Sequence, residues 1–339
     1  MATMKLGLIG CGPMGRSLAT SAQELEHAEV VLVSDIDEDR AKGLANDLGA
    51  EYVTDYDALL DREEIDGVLI ASPPFLHRPM VEAAASAGKH IFCEKPMAPY
   101  VADCDAMIDA IERAGVTFQI GHVCRFHATH SKVRELVASG AYGSPTTMLV
   151  HRIGSTWGRE HPGWRLSRSK SGGTLMEVNA HEIDFMRYVC GDVARVSAVG
   201  GHFVDERQDY PDVALVSMQF ASGAVGVLHS SHASAIGGYG GRVDLTEGSI
   251  VFPRIWGGDA TIDIKRFDSD EIEKIRIADI EVESPVRAEI RAFVDAVQNG
   301  TEPPVTMWDG RAAVAVAEAA YESIAQGGVV ISLDEGNRA

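Results

Sequence analysis

Residues 10–15 read Gly10-Cys11-Gly12-Pro13-Met14-Gly15 and directly follow an apolar run at residues 5–9. The run predicts a strand, and the pattern from Met14 onward predicts a helix. In a G-x-G-x-x-G segment the first glycine allows a tight turn, the second lets a pyrophosphate approach, and the third lets helix and strand pack closely. The helix N-terminus adds amide groups and a dipole that favour an anion. The segment therefore predicts a dinucleotide-binding unit.

A carboxylate follows at the spacing expected for a ribose ligand. Asp35 lies 20 residues after Gly15, at the end of a strand predicted at residues 30–34. There it can accept hydrogen bonds from both hydroxyl groups of the adenosine ribose. It would also repel the 2′-phosphate of NADP, and no arginine follows at once to neutralise it. We therefore predict NAD, with NADP less favoured; the alternative is that Asp35 is only a turn residue at a strand end.

The chain order predicts an α/β protein of two domains. Short apolar runs alternate with helical patterns up to about residue 121, which is typical of a parallel sheet. Period-2 runs, typical of antiparallel strands, follow a long polar loop at residues 154–172 and a helix predicted at residues 174–189. We expect a Rossmann dinucleotide-binding domain at residues 1–122. Residues 123–339 should form a substrate-binding and oligomerisation domain with a large, mostly antiparallel open sheet.

The composition excludes several functional classes. The chain has 339 residues, of which 45% are hydrophobic and 24% charged, as in ordinary globular proteins. A net charge of −20 disfavours nucleic acid and anionic membranes as partners. There is no long apolar run and no secretory pattern, so we expect a cytoplasmic protein. Five cysteines without CxxC spacing argue against disulfides and structural zinc, and we predict no metal site.

Two motifs follow predicted core strands. Ser72, Pro73 and His77 belong to an S-P-P-x-x-H segment, and Glu94 and Lys95 begin an E-K-P tripeptide. The carboxyl ends of parallel strands are where open α/β sheets bind ligands. Both motifs therefore predict ligand-binding loops, although a lysine at a strand end can also be merely solvated.

Titratable side chains recur on the helix predicted at residues 174–189. Glu177, His181 and Asp184 are spaced i, i+4 and i+7, which places them on one helical face. The apolar residues around them leave little room for a face that is only solvated. Histidine has an ordinary pKa near 6.5, so His181 is suited to remove a hydroxyl proton at neutral pH.

Together, the G-x-G-x-x-G start, the S-P-P-x-x-H segment, the E-K-P tripeptide and the distal H-E-I-D helix resemble the Gfo/Idh/MocA oxidoreductase family over nearly the whole chain. The resemblance implies that Lys95 is a catalytic residue beside the nicotinamide and the substrate hydroxyl. It also implies that His181 is an acid/base. Glu177 stands where the family more often has Asp, which leaves the identity of the substrate open.

By the same resemblance, Arg125, Trp164 and Arg165 are candidates for contacts with the cofactor or the substrate. Trp164 can equally be a packing anchor. We expect the second sheet to have an open face that carries apolar residues such as Val225, Val227 and Leu228. This face needs a cover, so we expect a homodimer or a homotetramer.

These patterns favour an NAD-dependent dehydrogenase of a sugar, an inositol or a related polyol. His181 would remove the hydroxyl proton, Lys95 would polarise the oxygen, and Glu177 would orient His181 or bind a neighbouring hydroxyl. Because Lys95 and His181 come from different predicted domains, the mechanism requires both domains to act on one substrate. Two alternatives are an NADPH-dependent reductase of a keto-sugar, nucleotide-linked ones included, and a noncatalytic NAD(H)-binding regulator.

Overall fold

A computed structural model of the chain describes residues 3–156, 163–254 and 259–333. Its first part alternates strands and helices. The strands are β1 (Met4–Ile9), β2 (Ala28–Ser34), β3 (Glu51–Val53), β4 (Gly67–Ile70), β5 (His90–Glu94) and β6 (Phe118–Gly121). The helices are α1 (Pro13–Gln23), α2 (Glu38–Leu48), α3 (Tyr56–Leu60), α4 (His77–Ser86) and α5 (Val101–Ala114).

The second part is richer in strands. Its strands are β7 (Pro145–Ile153), β8 (Val193–Gly201), β9 (Val213–Phe220), β10 (Val225–Ser231), β11 (Gly238–Leu245), β12 (Gly248–Phe252), β13 (Thr261–Arg266), β14 (Glu273–Arg276) and β15 (Ile331–Ser332). Its helices are α6 (Ala128–Ala138), α7 (Arg168–Ser171), α8 (Thr174–Glu177), α9 (Ala180–Cys190), α10 (Pro285–Asn299) and α11 (Met307–Ala325). Residues 157–162 of the predicted polar loop lie outside the described residues. Among the described helices, none is long and apolar enough to cross a membrane.

Two compact units make up the chain. The first comprises Met1–Val123 and Glu283–Arg311, and the second comprises Cys124–Val282 and Ala312–Ala339. The prediction that residues 123–339 form one domain is therefore wrong for the segment that contains α10. Helix α10 contributes buried Ile290, Phe293 and Val294 to the core of the first unit, and the Phe293 ring packs edge-on against Phe92 at 6.1 Å.

The first unit contains the predicted Rossmann sheet. Its six described strands are ordered β3-β2-β1-β4-β5-β6, and every neighbouring pair is parallel. This is the strand order of a doubly wound dinucleotide-binding fold, so the predicted fold class is confirmed. The carboxyl ends of β1, β4 and β5 lie side by side, which brings the loops that follow these strands to one edge of the sheet.

The second unit contains a large sheet of nine strands within the described residues. Their order is β14-β13-β12-β11-β7-β10-β9-β8-β15, and the neighbours are antiparallel except for β7 and β10, which are parallel. The predicted mostly antiparallel sheet is thus confirmed.

One face of this sheet carries exposed apolar side chains. Val227 of β10 is 37% exposed and pairs in register with Leu149 of β7, which is 41% exposed, while Val225 is 48% exposed. The prediction that Leu228 shares this face is wrong. Side chains alternate along a strand, and Leu228 is fully buried on the opposite face.

Candidate active site

The loop between β1 and α1 has the geometry expected of a phosphate cradle. Gly10 has a φ of +99°, and a Cβ on it would lie 2.7 Å from the carbonyl oxygen of Ala71. A Cβ on Gly15 would overlap the carbonyl oxygen of Gly10. Around Gly12, in contrast, a Cβ would meet no described atom within 4 Å. Helix α1 therefore begins beside open space, with exposed Pro13 and Met14 in its first turn.

Asp35 is tied to this loop from the end of β2. Its side chain is buried, its Oδ2 accepts a hydrogen bond of 2.8 Å from the amide of Cys11, and its Oδ1 accepts one of 2.9 Å from the amide of Asp37. Burial, and next the charge of Asp35, raise the pKa of the Cys11 thiol to about 12. Cys11 is therefore protonated at neutral pH and is not a nucleophile.

Arg40, which was not among the predicted site residues, faces Asp35. The Nη1 atom of Arg40 lies 3.2 Å from both carboxylate oxygens of Asp35, and its Nη2 lies 3.1 Å from Asp37. The interpretation that no arginine neutralises Asp35 is therefore wrong. The sequence feature that could have predicted this contact is Asp37. It is the N-cap of α2 and accepts the amide hydrogen of Arg40, which places Arg40 in the first helical turn, beside the end of β2.

The S-P-P-x-x-H and E-K-P motifs follow adjacent strands, because Ile70 of β4 pairs with Cys93 of β5. Lys95 is half-buried, and its amide donates a hydrogen bond of 3.1 Å to Oε2 of Glu94. Ser72 and Pro73 are also half-buried. His77 is fully buried instead, and both of its ring nitrogens face main-chain carbonyl groups. The buried position of His77 therefore does not support the prediction that it contacts the cofactor directly.

Behind Glu94 lies an acid that the sequence analysis missed. Glu289 of α10 is fully buried, and neither of its carboxyl oxygens has a hydrogen-bond partner among the described residues. Burial, and next the charge of Glu94, raise the pKa of Glu289 well above its usual range. Both effects favour the uncharged form of the Glu289 carboxyl. The sequence does not place Glu289 near Glu94, because the packing of α10 in the core of the first unit cannot be read from local patterns.

The helix predicted at residues 174–189 is broken in two, and this corrects the premise that Glu177 and His181 share one helical face. Glu177 ends α8, and His181 lies in the first turn of α9. Between them, buried Asn179 donates a hydrogen bond of 2.9 Å to Glu182 and accepts one of 2.6 Å from the Ser230 hydroxyl of β10. These side-chain bonds hold the break in place.

Three acids on these two helices each bind an arginine from a different element. Asp184 forms a bidentate pair with Arg125, at 2.7 and 2.6 Å, deep in the second unit. The other two pairs are Glu177 with Arg165 at 2.9 Å and Glu182 with Arg152 at 3.0 Å. Glu182 and Arg152 were not among the predicted site residues, because their contact joins α9 to β7, which are distant in sequence.

The remaining predicted side chains of this unit have defined surroundings. The Arg125 guanidinium is buried and lies 4.5 Å from the centre of the Tyr188 ring, and that of Arg165 lies 4.6 Å from the centre of Trp164. His181 is half-buried. Within the described residues, no group of three or more His, Cys, Asp or Glu side chains is arranged to hold a metal ion.

A pocket of about 420 Å³ lies elsewhere in the first unit. Its lining includes Met4, Asp66 and His90, which stand at the amino ends of β1, β4 and β5. This edge of the sheet is opposite the one that carries the predicted site. The pocket is therefore not the cofactor site.

Two stretches of the chain match domains of one protein family. Residues 4–122 match an oxidoreductase family with an NAD-binding Rossmann fold, GFO_IDH_MocA. Residues 130–251 match the GFO/IDH/MocA C-terminal domain.

Individual relatives match almost end to end. The chain is 30% identical to myo-inositol 2-dehydrogenase of Thermotoga maritima, covering 95% of this chain and 96% of that protein. It is 30% identical to D-xylose 1-dehydrogenase (NADP(+)) 2 of Haloferax volcanii, covering 98% and 100%. A solved structure of aldose-aldose oxidoreductase from Caulobacter crescentus, complexed with glycerol, has a TM-score of 0.88 and 27% identity, covering 98% of this chain and 100% of that chain.

Proposed function

Because this chain belongs to the GFO/IDH/MocA oxidoreductase family, we propose that it is an NAD-dependent dehydrogenase of a secondary hydroxyl group on a sugar, an inositol or a related polyol. The similarity to a myo-inositol dehydrogenase over 95% of the chain carries the proposal. The position of Lys95 at the carboxyl end of a Rossmann strand supports it independently, because ligands of such sheets bind at that edge.

We assign the pyrophosphate of the cofactor to the loop from Gly10 to Gly15 and the adenosine ribose to Asp35. The open space at Gly12 and the exposed start of α1 fit a phosphate group. The carboxylate of Asp35, already held by the Cys11 amide, fits a pair of ribose hydroxyls. Ser72 and Pro73 lie in the loop after β4, Glu94 is the last residue of β5, and all three are assigned to the nicotinamide half.

We assign the proton transfer to His181, which takes the proton of the substrate hydroxyl as a general base. Lys95 donates a hydrogen bond to the same oxygen and stabilises the negative charge that develops on it. Bound NAD would supply the acceptor for the hydride that leaves the hydroxyl carbon. The substrate loses one proton and one hydride and becomes a carbonyl compound. The proposal requires Lys95 and His181 to act on one hydroxyl group.

We assign Glu177 to substrate binding in this proposal, where its carboxylate accepts a hydrogen bond of 2.9 Å from Nε of Arg165. It can accept a hydrogen bond from a neighbouring substrate hydroxyl while it remains bound to Arg165. Arg165 and Trp164, stacked on each other, are assigned to the same substrate region. We assign Arg125 no direct contact with the cofactor or the substrate. Its guanidinium is buried and donates two hydrogen bonds to Asp184, so it supports the site only indirectly.

NADP is the second cofactor candidate, and the contact between Arg40 and Asp35 favours it. Arg40 is half-exposed and can turn its guanidinium towards a 2′-phosphate. The Haloferax volcanii relative is named as an NADP(+) enzyme. An NADPH-dependent reduction of a keto-sugar therefore remains the second candidate reaction.

For assembly, we propose a homodimer or a homotetramer that covers the exposed face around Val227 and Leu149. We also propose a cytoplasmic location, a small-molecule sugar or polyol as the substrate, and neither nucleic acid nor a membrane as a partner, in line with the net charge of −20.

The proposal is tested by incubating the purified protein with NAD or NADP and a panel of inositols, aldoses and anhydrosugars while following the absorbance of the reduced cofactor. We expect turnover with NAD and at least one polyol. Tight NADH binding without turnover of any panel member, in either direction, would favour the noncatalytic regulator instead.

A further inference from the structure

Asn179 lies at the break between α8 and α9 and is fully buried. Its main chain belongs to both helices, since its amide donates a hydrogen bond of 3.0 Å to the carbonyl of Thr174 and its carbonyl accepts one of 2.9 Å from the amide of Ile183. An asparagine that begins a helix usually accepts an amide hydrogen of that helix with its side chain. Here Oδ1 accepts a hydrogen bond of 2.6 Å from the Ser230 hydroxyl of β10 instead. The side chain therefore ties the break to the sheet.

A second contact ties the same segment to the neighbouring strand. Nδ2 of Asn179 donates a hydrogen bond of 2.9 Å to Oε2 of Glu182, whose Oε1 accepts one of 3.0 Å from Nη1 of Arg152 on β7. The same Nη1 lies 3.4 Å from the carbonyl oxygen of Val178. Ser230 and Arg152 are paired in register on parallel strands, so their side chains leave the same face of the sheet. The start of α9 is thus held at two adjacent points of one sheet.

His181 lies between these two points of attachment. Asn179 precedes it by two residues and Glu182 follows it directly, so the main chain of His181 is held on both sides. Because Asn179, Glu182 and Ser230 are buried, loss of one hydrogen bond leaves a polar group there without a partner. A buried network of satisfied hydrogen bonds makes its surroundings rigid. The network therefore restricts where the imidazole of His181 can lie.

We propose that Asn179 is a positioning residue for His181, and that Ser230 and Arg152 maintain this role by binding the start of α9 to β10 and β7. The proposal rests on the assigned function of His181 as the general base. A general base must lie within hydrogen-bonding reach of the proton that it removes. Asn179 itself contacts neither cofactor nor substrate in this proposal, because its side chain is buried and binds Ser230 and Glu182.

The first experiment compares two serines that bond to opposite ends of this segment. The Ser230 hydroxyl binds Asn179 at the start of α9, and the Ser222 hydroxyl donates a hydrogen bond of 2.8 Å to the carbonyl of Cys190 at its end. Ser230→Ala should lower kcat by about ten- to a hundredfold, because a displacement of about 1 Å in a catalytic group costs that much. The dissociation constant of NAD should change by less than about threefold. Ser222→Ala should keep the parent's kcat.

The second experiment determines whether the loss depends on His181. Ser230→Ala is combined with His181→Ala, and the turnover of the double variant is compared with that of His181→Ala alone. If Ser230 acts by positioning His181, the two should have the same turnover, because the positioned group is absent from both. A merely structural role predicts the same fractional loss in both backgrounds. An unchanged kcat in Ser230→Ala, or equal losses in both backgrounds, would overturn the proposal.

Arg152→Lys perturbs the other point of attachment. The Arg152 side chain is 32% exposed, and lysine keeps the charge but lacks the planar geometry of the guanidinium. Arg152→Lys should lower kcat in the parent and leave the turnover of His181→Ala unchanged. It replaces Ser230→Ala in both experiments if that variant does not fold, and the same two results would overturn the proposal.

Ring spectra of isotope-labelled histidine give a readout that needs no turnover. The His181 resonances, assigned with His181→Ala, should shift or split in Ser230→Ala and match the parent's in Ser222→Ala. If the parent shows no dehydrogenase activity, the proposed function fails, while these spectra still determine whether Ser230 fixes the His181 ring. Unchanged His181 resonances in Ser230→Ala would overturn the positioning role.

Discussion

Replacing Asp35 and Arg40 separately should move the cofactor preference in opposite directions. Asp35→Ser removes the carboxylate that we assign to the ribose hydroxyls and leaves the cation of Arg40 without its partner. NAD(H) should then bind more weakly, and NADP(H) should bind more tightly because repulsion of its 2′-phosphate is lost. Arg40→Ala keeps the carboxylate and removes the cation that neutralises it, so the preference for NAD(H) should increase.

The two effects should differ in size. Hydrogen bonds to a charged group contribute about 1.5–3 kcal/mol, so Asp35→Ser should weaken NAD(H) binding by roughly 10- to 150-fold. Arg40 has 48% of its side chain exposed, so solvent screens its charge and its contribution should stay below about 1 kcal/mol, or roughly fivefold. Asp35→Asn is a shape-matched control, because it removes the charge but retains an oxygen that can accept the Cys11 amide hydrogen.

The assay is a titration of each variant with NADH and with NADPH, followed by intrinsic tryptophan fluorescence. The parent should bind NADH more tightly than NADPH, Asp35→Ser should narrow or invert that ratio, and Arg40→Ala should widen it. The reasoning is refuted if the parent binds NADPH as tightly as NADH, or if Arg40→Ala lowers the preference for NADH.

Three further results are expected from the second unit. Burial lowers the pKa of His130 to about 3, against about 6.5 for an ordinary histidine, so its contribution to the free energy of unfolding is present above pH 6.5 and lost as the pH falls towards 3. Urea denaturation should show a decline of up to ~1.4 kcal/mol per pH unit there, and His130→Gln should show a shallower one. Asp184→Asn should lower the free energy of unfolding by about 3–5 kcal/mol in the same assay, because it leaves the Arg125 guanidinium buried without its carboxylate. A decrease in the free energy of unfolding of less than about 1 kcal/mol would contradict this. Light scattering after size exclusion should show a dimer or a tetramer, and Val227→Lys should shift it towards monomer; a monomeric parent at micromolar concentration would show that the face needs no partner.

The Rossmann half could be predicted from the sequence because its signals are local. Glycine spacing, a carboxylate at the end of β2 and alternating apolar runs each depend on a few neighbouring residues. Strand β3 has only three residues, Glu51–Val53, which is too short for a recognisable period. The motifs that begin at Ser72 and Glu94 were recognisable in the sequence, and the parallel strand order brings the carboxyl ends of β4 and β5 to one edge of the sheet.

What escaped prediction depends on contacts between distant residues. The helical period continues through residues 174–189, and the break is held by Asn179 bonding Ser230, which lies 51 residues away. The helical period of α10 predicts which of its faces is apolar, but it does not predict that this face packs in the core of the first unit. Pairing of Glu182 with Arg152 likewise joins a helix to a strand. Arg40 is the exception, because it lies only five residues after Asp35 and is placed beside it by the N-cap of α2 at Asp37.

Turnover measured against pH, for the parent, Lys95→Ala and His181→Ala on the polyol that the panel identifies, tests the catalytic assignment most directly. Lys95→Ala should lower turnover by orders of magnitude and leave NAD affinity nearly intact, since we assign the binding of the cofactor to the Gly10–Gly15 loop and Asp35. His181→Ala should lower turnover by about 10² to 10⁴ and flatten the acidic limb of the profile. If His181→Ala keeps the parent's rate and its acidic limb, the hydroxyl proton leaves by another route and the assignment of His181 is wrong.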